Sequence, residues 1–422
     1  MTTSNQKNIP ALRFKEFDGE WEVKRLKVVI DDFIVPMRDK PKDLTGDIPW
    51  CRIEDFDGRY LSQSKSKQGV SWDTILNMNL KVFPINTLLV SCSAYLGRCA
   101  IVKKELITNQ TFIGLVPNEK LINIEYLYYI MGWNEQKLNR LSSGTTISYL
   151  SRREFENFKI FIPSLPEQQK IARFLTVIDR KINQLSRKVQ LQERYKKGVM
   201  QKLFSQELRF KDADGKDFAD WEVKTFESIY DFVRTNSFSR NLLNYESGNI
   251  KNIHYGDIHT KFNSLFDLKN ENVPFINQDV DVSKIKVEDY CKEGDLIIAD
   301  ASEDYNDVGK SMEIIRLHNE KLVAGLHTYI ARPKIAMALG FSCYLMQSWD
   351  LRKKIMKIAT GISVLGISKA NLGKLVFNLP SLPEQQKIAH FLSQLDEQIQ
   401  QTRQQLAHLQ DYKKGLLQQL FV

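Results

Sequence analysis

The chain contains few cysteines, and none of them is arranged as a metal site or a disulfide framework would require. There are five, an odd number with no Cys-x-x-Cys pair. They are Cys51, Cys92, Cys99, Cys291 and Cys343. Structural zinc sites use closely spaced cysteine and histidine ligands, and disulfide frameworks belong to oxidising compartments. We therefore predict no metal site, no disulfide framework and a cytoplasmic protein.

Long apolar runs are also lacking. No stretch approaches the roughly 18 to 20 apolar residues that are needed to cross a bilayer. The N-terminus has no signal-peptide pattern. We predict that the chain has no membrane partner.

Signatures of catalysis are absent from the sequence as well. It has no glycine-rich dinucleotide fingerprint, no HExxH and no GxSxG. All six histidines lie after residue 253, which excludes a duplicated catalytic histidine. Gly309-Lys310-Ser311 has the end of a phosphate-loop pattern, but Asp304 stands where its leading glycine should be. We predict a binding protein that is not an enzyme. A stand-alone DNA nuclease or methyltransferase with an unrecognised site is the alternative.

What the sequence does contain is a long internal repeat. Similarity runs from Pro163 to Phe204 and again from Pro380 to Phe421, at a constant spacing of 217 residues. A shorter repeat, Trp-Glu-Val-Lys, begins at residues 21 and 221, and the stretches between the repeats agree only loosely. We therefore predict two variable modules, each followed by a repeated helix. The four segments are residues 1–162 (module one), 163–205 (first helix), 206–379 (module two) and 380–422 (second helix).

The repeated block has the pattern of a long helix. Ser164 and Glu167 have the spacing of a capping box, and Ser381 and Glu384 repeat it. Apolar residues then alternate steps of four and three, as in a coiled-coil seam. The seam residues are Ile171, Leu175, Ile178, Ile182, Leu185, Val189, Ile388, Leu392, Leu395, Ile399, Leu406 and Leu409. We predict two helices of about 38 residues, roughly 57 Å long, that form an antiparallel coiled coil. Packing of each helix on its own module, or a homodimer, is the alternative.

The apolar pattern changes phase near the end of both helices. Steps of four replace the earlier alternation, which turns a different face of each helix apolar. Apolar side chains that no longer face the other helix must be buried against another surface, so we predict that these positions dock a partner. They are Tyr195, Val199, Leu203, Tyr412, Leu416 and Leu420.

Charge is distributed unevenly along the chain. The net charge is +9, and residues 163–204 alone hold ten basic against three acidic side chains. Residues 205–379 hold 23 basic and 25 acidic side chains, although Arg352, Lys353, Lys354 and Lys357 cluster on one predicted helix. A basic excess favours a polyanionic partner. A solvated helix face explains the charge equally well.

Both modules mix strands and helices. Aligned buried-strand patterns occur at Asn86–Cys92 and Gly294–Asp300, and amphipathic helices follow at Glu125–Trp133 and Phe341–Trp349. Arg, Asn and Gln can read base edges, and hydroxyls in a polar glycine loop suit phosphates or bases. We predict nucleic-acid contacts from Ser91, Ser93, Tyr95, Arg98, Asn109, Gln110, Ser143, Thr145 and Thr146 in module one. In module two we predict them from Ser302, Tyr305, Lys310, His327 and Ser363. The alternative is that the glycine loop only connects two elements and that each of these side chains is an ordinary surface or structural residue.

The paired Pro-Ser-Leu-Pro-Glu-Gln-Gln-Lys-Ile-Ala start, followed each time by a long helix, closely resembles the specificity subunit of type I restriction-modification systems. The resemblance covers essentially the whole chain. It implies an α+β fold of two mixed α/β target recognition domains, joined by the antiparallel coiled coil with a pseudo-twofold repeat. Each domain would read one half of an asymmetric, bipartite double-stranded DNA site, and the coiled coil would set the spacer between the halves.

The resemblance also implies partners. Two DNA-adenine methyltransferase (M) subunits would dock on the helices and modules, and motor-nuclease (R) subunits would join them for restriction. S-adenosylmethionine, ATP and Mg²⁺ would then lie on those partners, with no cofactor in this chain. A protein scaffold without a DNA role is the rival interpretation.

Overall fold

A computed structural model describes residues 8–36, 38, 40–93, 95–141 and 149–421. The chain divides into two compact units. Unit one comprises residues 1–186 and 404–422, and unit two comprises residues 187–403. This division differs from the four predicted segments, because each unit contains one module together with part of both long helices.

Module one and the helix that follows it alternate short strands with helices. The strands are β1 (Glu22–Arg25), β2 (Ile30–Ile34), β3 (Ile48–Cys51), β4 (Tyr60–Leu61), β5 (Gly69–Val70), β6 (Leu88–Ser91), β7 (Cys99–Val102), β8 (Ile107–Thr108), β9 (Phe112–Pro117) and β10 (Lys159–Ile162). The helices are α1 (Leu26–Val29), α2 (Trp72–Asn77), α3 (Ile124–Trp133), α4 (Glu135–Leu141), α5 (Arg152–Asn157) and α6 (Leu165–Phe204).

Module two and its helix repeat this plan with insertions. The strands are β11 (Glu222–Thr225), β12 (Tyr230–Val233), β13 (Leu243–Asn244), β14 (Lys251–Ile253), β15 (Leu265–Asp267), β16 (Phe275–Ile276), β17 (Leu296–Ala299), β18 (Ala301–Ser302), β19 (Ser311–Arg316), β20 (Leu322–Ala324), β21 (Thr328–Pro333), β22 (Leu365–Gly366) and β23 (Val376–Leu379). The helices are α7 (Phe226–Ile229), α8 (Tyr255–Thr260), α9 (Phe341–Gln347), α10 (Trp349–Ile358), α11 (Lys369–Gly373) and α12 (Leu382–Leu420).

The main sheets of the two modules have the same strand order. It is β2-β9-β6-β7-β4 in module one and β12-β21-β17-β19-β15 in module two, each with a single parallel pair at the last position. In both modules the Trp-Glu-Val-Lys strand also pairs antiparallel with the strand that precedes the long helix, β1 with β10 and β11 with β23. The strand formed by the short sequence repeat therefore joins the start of each module to the residues just before its long helix.

The central strand of each main sheet is buried on both faces. Alternate side chains of a strand point to opposite faces, so Leu88 packs in the apolar cluster that contains the helices while Leu89 packs in a second cluster behind the sheet. Leu296 and Ile297 divide in the same way in module two. This double burial explains why the strands appear in the sequence as continuous apolar runs.

The two long helices pair antiparallel, as predicted. Helix α6 has 40 residues and α12 has 39. In unit two, Glu193 pairs with Arg403 and Lys196 with Asp396, so the partner number falls as the number along α6 rises. Most seam residues are buried, and Ile182, Leu395, Leu406 and Leu409 are half-buried.

The first turns of each helix pack on the module that precedes them. Ile171 and Leu175 share an apolar cluster with Tyr126 of module one. Ile388 and Leu392 share one with Tyr344 of module two. The helix packing offered as an alternative to pairing therefore occurs as well, at a different level of the same helix.

The predicted capping box does not form in the second helix. Both oxygens of Glu384 accept hydrogen bonds from Arg209, at 3.1 and 2.9 Å, and the Trp221 indole also donates to it at 3.0 Å. Ser381 Oγ has no partner. Glu167 likewise accepts from Arg13 and Trp21. The repeated glutamate binds the start of its module because an Arg and a Trp indole satisfy a buried carboxylate better than one backbone amide.

The docking prediction is wrong for four of its six residues. Val199 and Leu203 are buried with Phe341 in the core of unit two, and Leu416 and Leu420 are buried in the core of unit one. The phase change does direct the apolar side chains of the helix ends toward a different surface, but that surface is the core of a unit of this chain. The other two residues, Tyr195 and Tyr412, are more than half exposed.

No helix in the described part of the chain is long and apolar enough to cross a membrane.

Candidate nucleic-acid interface

Three segments of module one meet at one end of its main sheet. The loop between β6 and β7 is joined to the entry of β9 by the hydrogen bond from Cys92 N to Thr111 O, of 2.8 Å. Leu150 N donates to Cys92 O at 2.9 Å, and Ser93 bridges Tyr149 antiparallel. We call this region edge one, made of residues 91–93, 95–98, 109–111 and 149–150. It brings Ser93, Tyr95, Arg98, Asn109 and Gln110 into one region.

The exposed side chains of edge one are Tyr95, Arg98, Gln110 and Tyr149. Tyr95 has a φ of 56°, and the Arg98 guanidinium lies 5.0 Å from the centre of its ring. A cation over an aromatic face is held in place without losing its outward hydrogen-bond donors. Asn109 is half-buried, and its Oδ1 accepts from the Thr111 hydroxyl at 2.5 Å.

Ser91 has a structural role, which differs from the predicted contact. It is buried, and its hydroxyl donates to Tyr95 O and accepts from Arg98 N at 3.1 Å. Ser91 therefore holds the turn that presents Tyr95 and Arg98. The predicted contacts Ser143, Thr145 and Thr146 lie outside the described residues.

Module two has an equivalent region, edge two, made of residues 300–310, 325–328 and 360–367. Strand β18 pairs with β22, so that Ser302 faces Leu365. Asp300 N donates to His327 O at 3.1 Å, and Ile367 N donates to Asp300 O at 2.9 Å. The loop after the central strand, the entry to the next strand and the glycine loop therefore meet in module two.

The exposed side chains of edge two differ from those of edge one. Tyr305 and Ser363 are exposed, and His327 is about half exposed with a φ of 57°. The His327 Nδ1 lies 3.2 Å from Asp300 Oδ1, and its ring packs against Tyr255 with centroids 5.3 Å apart. Asp300 and Tyr255 therefore orient His327 at the surface.

Ser302 and Lys310 shape edge two from within. Ser302 is buried, donates to Asp304 O at 2.9 Å and accepts from Asp304 N at 3.0 Å. Lys310 Nζ donates to His259 O at 2.9 Å and lies 3.2 Å from Asp307. Both predicted contacts thus have partners within the chain that hold the loop in its conformation.

Sequence reasoning missed the residues of α8 that support His327. Tyr255 lies between His254 and His327. Burial, together with the nearby Arg240 guanidinium, lowers the pKa of His254. Its Nδ1 accepts from Gly256 N at 3.1 Å, which leaves Nε2 to carry the proton of the neutral ring. The only sequence signal was the concentration of histidines in the second half.

The basic cluster predicted on α10 is smaller at the surface than its sequence indicates. Arg352 turns inward and donates to the carbonyl oxygens of Asn306 and Val308 at 2.8 and 2.7 Å. Burial lowers the pKa of this guanidinium. Lys354 pairs with Asp350 at 2.6 Å. Lys353 and Lys357 are the exposed members of the cluster.

Within the described ranges, no group of three or more His, Cys, Asp or Glu side chains is arranged to hold a metal ion.

Comparison with known proteins places this architecture in a family. The family model described as "Type I restriction modification DNA specificity domain" matches residues 19–193 and 219–411. The MjaVIII type I restriction enzyme specificity subunit of Methanocaldococcus jannaschii is 26% identical over 425 residues, which covers 96% of this chain and 94% of that protein. The EcoR124I/EcoR124II specificity subunit of Escherichia coli is 26% identical over 170 residues, 38% of this chain and 41% of that protein.

A solved structure shares the fold. The type I restriction-modification S subunit from M. genitalium superposes with a TM-score of 0.59 at 16% identity, covering 98% of this chain and 99% of that chain. Because the family model matches most of each half, the chain belongs to the type I restriction-modification DNA specificity family and carries two of its specificity domains.

Proposed function

We propose that this chain is the sequence-specific, double-stranded DNA-binding specificity subunit of a type I restriction-modification complex. In this proposal each module reads one half of an asymmetric bipartite site. The observation that carries the proposal is that two sheets of identical strand order present different side chains at the same end. Edge one offers Tyr95, Arg98 and Gln110. Two modules with the same strand order but different exposed side chains suit a target whose two halves differ.

The chemistry of the edges suits base recognition. An Arg held over a Tyr ring keeps its donors free for guanine O6 and N7, and Gln110 can bond adenine N6 and N7. In module two, His327 and Tyr305 offer donors and acceptors of a different geometry. We infer that the backbone of the DNA is held elsewhere, because the acidic Asp300 and Asp304 of edge two would repel phosphates.

The repeated helices fit the roles of ruler and docking frame. Two M subunits would bind around them, with the exposed Tyr195 and Tyr412 as contact points at equivalent positions of the repeat. R subunits would join for restriction. In this proposal the chain itself is non-catalytic and acts in the cytoplasm, and the S-adenosylmethionine, ATP and Mg²⁺ that the complex needs belong to M and R.

Charge limits the affinity of the isolated chain. Phosphate contacts by Lys and Arg supply much of the binding free energy of duplex DNA, and they weaken steeply with salt. Residues 205–379 carry a small acidic excess. We therefore expect weak, salt-sensitive binding by the chain alone and tight binding by the complex with M.

The test is to map methylated adenines in a host that expresses this chain with its M subunits. The expected result is one bipartite motif with two different halves. Replacement of residues 20–150 by those of another family member should change one half only. A methylation pattern that is unaffected by this exchange would overturn the proposal, as would methyl transfer or DNA cleavage by the purified chain without partners.

A further inference from the structure

The tip of the glycine loop in module two carries an unusually exposed apolar side chain. Ile362 is fully exposed, with a relative accessibility of 101%, and Val364 is more than half exposed. Burial of a side chain of this size contributes about 1.5 to 3 kcal/mol. The free chain gains no stability from Ile362, because this side chain remains in water. An apolar residue at a loop tip beside candidate DNA contacts therefore suggests an apolar ligand group.

The loop holds this tip in a defined position. Gly361 has a φ of 132°, and a Cβ there would lie 2.0 Å from Val364 O, so the turn requires glycine. At the base of the loop, Thr360 N donates to Gly366 O at 2.9 Å and Gly366 N donates to Thr360 O at 2.7 Å. The Tyr329 hydroxyl donates to Ile367 O at 2.8 Å. The backbone is therefore fixed before any ligand arrives, which lowers the entropic cost of binding.

The surroundings of the tip combine DNA-attracting charge with base-directed chemistry. Residues 351–379 contain six basic and no acidic side chains, and Lys357 and Lys369 flank the loop on both sides in sequence, exposed. Strand β18, paired with β22 of the loop, is bordered by Asp300 and Glu303. Carboxylates repel phosphates, so the segment beside the tip favours a base edge over the sugar-phosphate backbone.

Duplex DNA offers one apolar group at a base edge, the C5-methyl of thymine in the major groove. We propose that Ile362 contacts a thymine methyl in the half-site read by module two and so makes this thymine part of the recognised sequence. The inference rests on the proposed function. Module one aligns Thr145 with Ile362, so the contact is expected in one half-site only.

Deoxyuridine substitution tests the contact, because it removes the methyl group and leaves the base pairing intact. Binding of the assembled complex with M is measured on its mapped target, with each thymine of the second half-site replaced in turn. At one position, loss of the methyl should weaken binding about fourfold, the equivalent of roughly 0.8 kcal/mol per buried methyl group. The complex with Ile362→Ala should bind thymine and uracil duplexes equally at that position, since the two changes remove the same contact.

Val287→Ala supplies a matched control. Val287 is 84% exposed and lies in the same unit as Ile362. The carbonyl oxygen of the next residue, Glu288, accepts a hydrogen bond from Arg332. Arg332 lies near the C-terminal end of β21, whereas His327 comes just before the N-terminal end of that strand. This variant should keep the full uracil effect. Melting temperatures should be unchanged for both variants, because neither side chain is buried.

Three outcomes would overturn the inference while the proposed function stands. One is a second half-site with no A·T pair. Another is a uracil effect that persists in Ile362→Ala. The third is a wild-type complex that binds every uracil duplex as tightly as the thymine duplex, while Ile362→Ala binds all of them equally more weakly, which would indicate a wedge between base steps rather than a methyl contact. Failure of the complex to methylate any bipartite motif would instead remove the proposed function itself.

Discussion

Lys413 Nζ lies 2.6 Å from Asp179 Oδ1, and the same pair recurs in unit two, where Lys196 Nζ lies 2.5 Å from Asp396 Oδ1. The two lysines are 217 positions apart, and so are the two aspartates. Each copy of the repeat therefore donates its lysine to the aspartate of the other copy. An ion pair at one level of an apolar seam favours one register and orientation over the alternatives.

Asp179 is more buried than Asp396. Each accepts a hydrogen bond of 2.7 Å from a tyrosine of its module, Tyr129 or Tyr344. Asp179 also accepts from Arg59 at 2.6 Å. Burial acts to raise the pKa of Asp179, but the bonds from Lys413, Tyr129 and Arg59 prevail and hold it below its ordinary value. Module one is thus bound to the helix pair by an additional cation.

The first prediction compares these two carboxylates. Asp179→Asn should lower the free energy of unfolding by about 3 kcal/mol, because Lys413 loses its counter-charge and the buried Arg59 keeps only Glu125 as a carboxylate partner. Asp396→Asn removes a more exposed group with one cation and should cost only about 1 kcal/mol. Urea denaturation of both variants measures the difference. Equal losses would contradict the proposed role of Arg59.

The second prediction concerns pH. Burial raises the pKa of Glu313 from its ordinary 4.5 to about 7, against the lowering effect of the backbone amides of Cys343 and Gly340 at 2.9 and 2.7 Å. The folded state therefore holds the proton more tightly than the unfolded state. The resulting stability is fully present below about pH 4.5 and is lost as the pH rises through about 7.

Between pH 5 and pH 8, wild type should lose about 2.5 kcal/mol relative to Glu313→Gln, whose amide does not titrate. The measurement is urea unfolding of both proteins across this range. Glu288→Gln, at an exposed carboxylate, is the control and should follow wild type. A constant difference between Glu313→Gln and wild type would refute the prediction.

The third prediction separates burial from docking at the helix ends. Leu420→Ala should cost about 2 to 5 kcal/mol of stability, because its side chain fills the core of unit one. Tyr412→Ala should leave stability within about 0.5 kcal/mol of wild type and weaken assembly with M. Thermal unfolding and titration with M measure the two effects. Undiminished assembly of Tyr412→Ala would remove this tyrosine from the proposed M contact.

The fourth prediction assigns the half-sites. Arg98→Ala should weaken DNA binding by the complex about tenfold, as expected for loss of a base contact, and relax sequence preference in one half of the target. His327→Ala should relax the other half. Binding to a library of randomised half-sites measures both preferences. Relaxation of the same half by both variants would contradict the division between modules.

The fifth prediction tests the ruler. Seven residues inserted after Ser186 and seven after Arg403 preserve the heptad seam and lengthen both helices by roughly 10 Å. This length is close to three base-pair steps of about 3.4 Å, so the methylated motif should keep both halves and gain a wider spacer. An insertion in α6 alone should instead destabilise the protein, because the Lys196–Asp396 and Lys413–Asp179 pairs can then no longer both form in one continuous seam. An unchanged spacer in the double insertion would refute the ruler.

The repeat in the sequence was sufficient to predict the elements that the two halves share. Local signals determine these elements: the heptad pattern from Ile171 and Ile388 predicted both long helices, and the buried runs around Leu88 and Leu296 predicted the central strands. These elements depend on periodicity along the chain, which a single sequence displays directly. The sequence difference between the two modules, which lies between the repeated segments, was also visible in the sequence alone.

Tertiary packing decided what each exposed or apolar position does. Leu203 and Leu420 have the pattern of a free apolar face, but they fill the cores of the two units. Glu167 has the spacing of a cap, but Arg13 and Trp21 bind it from far along the chain. Ser91 has the chemistry of a DNA contact, but the fold uses its hydroxyl to hold a turn. A one-dimensional pattern states which side chains need a partner, and only the folded chain determines which atoms provide it.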